Sequence, residues 1–174
     1  LPQDVRETRL HGKFFHLTGL VYKEISETHS LGDRTFEYIE GMRYEYPDPV
    51  ICVIDPHDRV PHHVIWAYVD RADDVFVDHE FTGHLELDDL ARTILKIEET
   101  RGYKMKKRLI DPNFGRKPAK VGTNLSVIDE LRRNGLAIYE ANDDVSLGHH
   151  IVRDYLHYDL TRSVTATNKP KVYF

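Results

Sequence analysis

Val50-Ile51-Cys52-Val53-Ile54-Asp55-Pro56 decides the reading, together with its echo Arg108-Leu109-Ile110-Asp111-Pro112. Each run is short, apolar and rich in β-branched residues. Each ends in a carboxylate and is broken at once by proline. A nearly continuous apolar run is the pattern of a strand buried on both faces of a parallel sheet. Two such strands lying side by side would set Asp55 and Asp111 together at their carboxyl ends. Hard divalent cations take carboxylate oxygens, and rigid strand ends hold such oxygens in place. The pair therefore predicts a metal-dependent phosphoryl-transfer site.

The flanking sequence supplies the rest of a sheet. Pro47-Asp48-Pro49 punctuates the chain before the first run. His63 to Val69 and Val75 to Phe81 read as two more strands, separated by the polar turn 71–74. With 50–55 they make an antiparallel meander. Leu87, Leu90, Ala91, Ile94 and Ile97 recur at helical spacing over 86–101, with Asp88 and Asp89 in the first turn and Gly102 as the stop. Strand four covers 107–110, and a loop runs from Pro112 to Thr123. A second helix covers 125–134, capped by Asn124 or Ser126. Strand five covers 136–139. A third helix covers 145–157, with Asn142, Asp143 and Asp144 as capping candidates. Residues 171–174 read as a last strand. Strands one, four and five would be parallel. This order predicts an α/β, ribonuclease-H-like mixed sheet: a three-strand antiparallel meander plus parallel strands, flanked by helices.

Composition sets outer limits. The 174 residues suit one domain with a real core, and 40% apolar with 30% charged residues is ordinary for a globular chain. The net charge of −5 argues against wholesale non-specific nucleic-acid binding, while leaving room for a local basic face. The single cysteine, Cys52, excludes a disulfide framework and a thiolate metal cluster, and suits a reducing compartment. No apolar run reaches the roughly 18 residues of a membrane span. The chain starts at Leu1 and reads as a piece of a longer protein.

At this point the chain resembles the C-terminal nuclease domain of the large terminase subunit of tailed bacteriophages, their DNA-packaging motor. Arg9-Leu10-His11-Gly12-Lys13-Phe14 and Leu17-Thr18-Gly19-Leu20-Val21-Tyr22 are similar to the segment that follows the family's ATPase domain. Val53-Ile54-Asp55-Pro56 and Leu109-Ile110-Asp111-Pro112 are similar to the strands carrying its first and second metal-binding acids. Gly148-His149-His150-Ile151-Val152-Arg153 and Asn168-Lys169-Pro170-Lys171-Val172-Tyr173 are similar to the helix and strand that come later. Phe14 to Leu17 and Gly19 to Tyr22 suggest a bent hairpin and Ser26 to Asp33 a polar loop, and the resemblance implies that 1–46 is a leading segment packed on the core. It implies a nuclease domain over 47–174, without the last helix on which the family carries a third acid. No Gly-x4-Gly-Lys-Ser/Thr motif is present, so the motor ATPase is not on this chain.

The implied activity is hydrolysis of DNA phosphodiesters, cutting concatemeric genomes during packaging. Mg²⁺ or Mn²⁺ would be the cofactor in a two-metal site. Asp55 would sit between the metals and Asp111 would hold one. The implied partners are double-stranded DNA, the terminase ATPase domain, the small terminase subunit and the portal, with no membrane. The implied location is the cytoplasm of the infected bacterial host.

Plainer readings stand beside these. Either aspartate can simply open an Asp-Pro turn. His57, two residues past Asp55, is a possible accessory group at the metal edge or the attacking water, but His57, Asp58, His62 and His63 also suit a polar turn. Asp154 falls opposite the stripe Val145, Gly148, Ile151, Val152, Tyr155 and Leu156, so it should face solvent, as should His149 and His150. Trp66 reads as core. Residues 101–120 hold eight cations against Asp111 alone, and Lys106, Lys107, Arg116, Lys117 and Lys120 are the candidate DNA contacts. Two rival functions remain: a non-catalytic DNA-binding or docking module, and another ribonuclease-H-like nuclease such as a junction resolvase.

Overall fold

A computed structural model describes residues 22, 24–30, 49–120 and 124–174. The expected hairpin at 14–22 and most of the leading segment lie outside the described residues. A 3-10 turn, Glu27–His29, falls where a polar loop was expected.

Six strands form one mixed sheet: β1 (Val50–Asp55), β2 (His62–Val69), β3 (Val75–Gly83), β4 (Met105–Ile110), β5 (Tyr139–Glu140) and β6 (Val172–Tyr173). Their order is β5-β4-β1-β2-β3-β6. β1, β2 and β3 form the antiparallel meander, while β4 runs parallel to β1, β5 parallel to β4, and β6 parallel to β3. This is the expected ribonuclease-H-like mixed sheet. Helix α1 (Leu87–Arg101) follows β3, α2 (Pro112–Gly115) and α3 (Val127–Arg133) follow β4, and α4 (Val145–Leu156) follows β5.

Helix α1 forms for local reasons. Asp88 and Asp89 face the positive end of the helix dipole, and Gly102 stops it in a left-handed turn (φ 66°) that returns its N–H to the Glu98 and Glu99 carbonyls. Leu90, Ala91 and Ile94 of α1 pack with Val127, Ile128 and Leu131 of α3 over Val50, Cys52, Ile54, Val64 and Trp66. Trp66 is fully buried, as its pattern implied.

β1 departs from the two-face expectation. Val50, Cys52 and Ile54 are completely buried, but Ile51 is half-buried and Val53 is 36% exposed. Among the described residues α1 and α3 pack on the face of Val50, Cys52 and Ile54, and the other face of β1 is left partly open. Asp55 alternates onto the open face.

Three other local readings change. The loop expected at 112–123 begins as helix α2, because Asp111 caps it and Pro112 suits the first helical position. Gly115 makes this possible: a Cβ there would lie 2.8 Å from two Ile128 side-chain carbons. β5 begins at Tyr139 rather than Leu136, since 136–138 is tied to α3 instead of the ladder. The Leu136 N–H donates to Leu131 O, and Arg132 donates to Ile138 O. Finally, the apolar stripe of α4 is not packed away. Val145, Ile151 and Val152 are exposed, and Leu156 is the buried residue of that helix.

Candidate metal centre and nucleic-acid face

The register fixes the two acids. Ile54 pairs with Ile110 as the last parallel pair of β1 and β4, so Asp55 and Asp111 stand one step beyond it. The Asp111 N–H donates to Ile54 O at 3.3 Å, continuing the ladder. Both side chains alternate onto the face opposite the core, the face of Val53, Leu109 and Tyr139.

The two carboxylates differ in their surroundings. Asp111 Oδ1 accepts from the Asn113 N–H (3.1 Å) and the Asn113 side-chain amide (3.4 Å), and Oδ2 accepts from the Phe114 N–H (3.0 Å). Asp111 is therefore the N-cap of α2, where the plainer reading expects only an Asp-Pro turn. The Asp55 carboxylate has no such partner among the described residues, and Asp55 is exposed. Asp111 Oδ2, which accepts one bond, keeps a second lone pair.

Two histidines build the turn beyond Asp55. His62 is 4% exposed, although its sequence context read as a surface turn. Its Nδ1 accepts the His57 N–H at 2.9 Å, and its Nε2 lies 2.7 Å from Leu85 O. An N–H pointing at Nδ1 makes that atom the acceptor, so Nε2 carries the proton and donates. His62 thus fastens the β1–β2 turn to the segment leading into α1. His57 Nδ1 accepts from the Arg59 and Val60 N–H groups, which leaves Nε2–H as its outward-facing group, a donor rather than a base. The His57 ring lies 6.0 Å from that of Phe114, so the turns after the two acids touch.

His63 opens the expected second strand and also suits the polar turn, and neither reading puts it beside the acids. Its place becomes visible through the pairing: it is the cross-strand partner of Asp55, and Thr82 is its own partner on β3. The His63 Nδ1 lies 3.2 Å from the Thr82 hydroxyl, which donates to Glu80 at 3.3 Å. Asp111, Asp55, His63 and Thr82 therefore form one row across four strands.

The candidate DNA-binding cations are not equivalent. Lys117 sits over the Phe114 ring at 4.4 Å, beside the acids. Arg116 is engaged by Glu140, donating from its Nε at 3.0 Å and also from a terminal nitrogen. This hydrogen-bonded pair raises the Arg116 pKa and lowers that of Glu140. Lys107 shares the acids' face and lies 5.6 Å from the Tyr139 ring. Lys106 falls in the β1–β4 register shift and is exposed, as is Lys120. Asp154 is exposed, as expected. Its neighbour Tyr155 donates to Asp73 in the β2–β3 turn, at the opposite end of the sheet from Asp55. That placement removes Asp154 from the site. Cys52 is buried on the core face, and burial pushes its thiol well above the ordinary range, leaving it inert.

Among the described residues, no three His, Cys, Asp or Glu groups converge as a metal cage. What the sheet offers is a two-carboxylate edge. Such an all-oxygen donor set fits a hard divalent cation that keeps several waters of its own.

No protein-family model matches the chain, and no curated protein matches it. Solved structures do. The P22 large terminase nuclease domain superposes with a TM-score of 0.58 at 16% identity, covering 90% of this chain and 73% of that one. The fold is that of a large-terminase nuclease domain. The large terminase from a thermophilic bacteriophage gives 0.56 at 16% identity, covering 78% of this chain and 31% of that one. The same terminase in complex with ADP gives 0.58 at 15% identity over the same shares. The chain thus spans about a third of the thermophilic phage's terminase chains. No helix among the described residues is long and apolar enough to cross a membrane.

Proposed function

We propose that this chain is the divalent-metal-dependent endonuclease domain of a viral packaging terminase. The observation that carries the proposal is the placement of Asp55 and Asp111 side by side at the ends of adjacent parallel strands, on the open face of a terminase-nuclease fold. Asp55 and Asp111 would hold Mg²⁺ or Mn²⁺. A bound metal of this kind activates water and neutralises charge developing on the phosphate. The chain's own parts orient and approach. The α2 cap fixes the Asp111 rotamer, His62 fixes the turn after Asp55, and Lys117 brings positive charge to the acids' edge. Phosphate contacts of this sort carry no sequence readout, which suits cutting of concatemers at many sites. In this reading the chain works on double-stranded DNA in the cytoplasm of an infected bacterium, alongside an ATPase domain, a small terminase subunit and a portal.

The test is plasmid nicking by the 174-residue chain in Mn²⁺, with Asp55→Asn as control. Nicking lost in the folded variant supports the assignment, and equal nicking by variant and parent refutes it. One observation favours a second reading, a DNA-binding module without catalysis: two carboxylates and no third converging ligand among the described residues. DNA binding by a chain that neither nicks nor takes up Mn²⁺ would establish that reading instead.

A further inference from the structure

The edge of the sheet next to the acids holds a feature the nuclease reading leaves unused. An open groove of about 390 Å³ runs along residues 135–138, which lead into β5, between Arg132 at the end of α3 and Tyr139. That volume lies within the range of small-ligand sites. Tyr139 is 54% exposed. It pairs with Leu109, two residues before Asp111, and so shares the acids' face. From strand rise and spacing, its Cα is about 8 Å from that of Asp111. Adjacent nucleotides of one strand can therefore touch both.

The charge around the ring is positive although the chain is not. Lys107 stands over the ring at 5.6 Å, and Arg132 lines the groove with its guanidinium anchored on Ile138 O at 2.9 Å. The neighbouring carboxylate, Glu140, is neutralised by Arg116. An exposed aromatic ring flanked by cations is the pattern that binds single-stranded nucleic acid: the bases stack and the phosphates meet positive charge. A base inside a duplex already has both faces covered, so the ring can take only one that has left the stack.

We propose that Tyr139, Lys107 and Arg132 form a binding site for an unpaired nucleotide next to the scissile phosphate. The base stacks on Tyr139 while Lys107 and Arg132 hold its phosphates. The proposal deepens the nuclease reading and rests on it. It makes a frayed or gapped stretch within the double-stranded substrate the feature recognised at this edge.

The experiment uses the full chain in EDTA with a short oligonucleotide carrying 2-aminopurine, whose fluorescence falls on stacking. It is run as a single strand and as a blunt duplex. The expected result is quenching of the single strand by the parent and by Tyr139→Phe, about tenfold weaker binding with no quenching for Tyr139→Ala, and weaker binding for Lys107→Gln. Duplex affinity should be the same for the parent, Tyr139→Phe and Tyr139→Ala. Parent-like quenching by Tyr139→Ala, no single-strand binding by the parent, or an equal loss on duplex each overturn the site. Nicking in Mn²⁺ is scored separately on the same proteins. A parent that quenches but never nicks defeats the nuclease reading, and a parent that nicks with Tyr139 indifferent to both probes defeats only the nucleotide site.

Discussion

Asp55 and Asp111 lie one step beyond the same parallel pair, yet only Asp111 is committed to the fold, capping α2 through both of its oxygens. Substitution should separate the two roles. Asp55→Asn leaves stability within about 0.5 kcal/mol of the parent, as expected of an exposed group away from special structural features, and abolishes metal-dependent cleavage. Asp111→Asn keeps an acceptor at the cap and loses cleavage. Asp111→Ala loses cleavage and about 1 kcal/mol of stability. Urea unfolding beside a nicking assay reads both effects, and a destabilised Asp55→Asn would show that Asp55 is structural.

Beneath the acids, on the core face, Glu98 and Arg108 join α1 to β4. Arg108 Nε donates to Glu98 Oε1 at 3.0 Å and a terminal nitrogen to Oε2 at 2.5 Å, while the Trp66 indole donates to Oε1 at 3.3 Å. Glu98 is 5% exposed. Removing one partner strands the other's charge out of water. Arg108→Ala should therefore cost about 3–5 kcal/mol. Replacing both partners with Leu and Met should cost much less, because no buried charge is left behind. A double-mutant cycle in urea decides this, and equal losses for the single and double variants would mean that packing, not charge, dominates.

What the sequence revealed follows from range. Strands β1 to β4, α1 and both acids rest on local signals: β-branched runs, helical periodicity, Asp-Pro breaks and a stop glycine. His62 and His63 differ by one position, and only the pairing shows that one is buried under the turn while the other faces Asp55. The five candidate cations looked alike because the partner that occupies Arg116, Glu140, is 24 residues away. The true start of β5 depends on Arg132 reaching back to Ile138 O, a contact no propensity encodes. The stripe on α4 has a helical period, but period alone does not say that a partner is present to cover it.

Acid should loosen the α3 end. The Ser126 hydroxyl donates to Asp129 at 2.6 Å and the Ser126 N–H donates at 3.3 Å, while the Asp129 N–H donates back to Ser126 Oγ at 3.1 Å. These bonds hold the Asp129 pKa below its ordinary value, the Ser126 hydroxyl having the largest effect. A folded pKa below the unfolded one means that the stabilisation is present above the unfolded value, near about 3.9, and is lost as pH falls through the folded value. The expected outcome is that Asp129→Asn shows a smaller drop in Tm than the parent between about pH 7 and about pH 3. Superimposable pH profiles would place the acid sensitivity elsewhere.

The last prediction separates cations that the sequence groups together. Lys117 rests on the Phe114 ring next to Asp111, and 4.4 Å from a ring face its ammonium has no carboxylate partner among the described residues to compete with phosphate. Arg116, one residue away, already gives its guanidinium to Glu140. A phosphate contact releases counterions, so losing one should lower the slope of log affinity against log salt by about 1. Lys117→Gln should show that reduction and weaken binding of all duplex sequences to the same degree. Arg116→Gln should leave the slope nearly unchanged, since it also frees Glu140, and its cost should appear in stability instead. Salt titrations of duplex binding in EDTA measure both slopes, and a larger slope change for Arg116→Gln than for Lys117→Gln would move the DNA path from the Phe114 side of the acids to the β5 side.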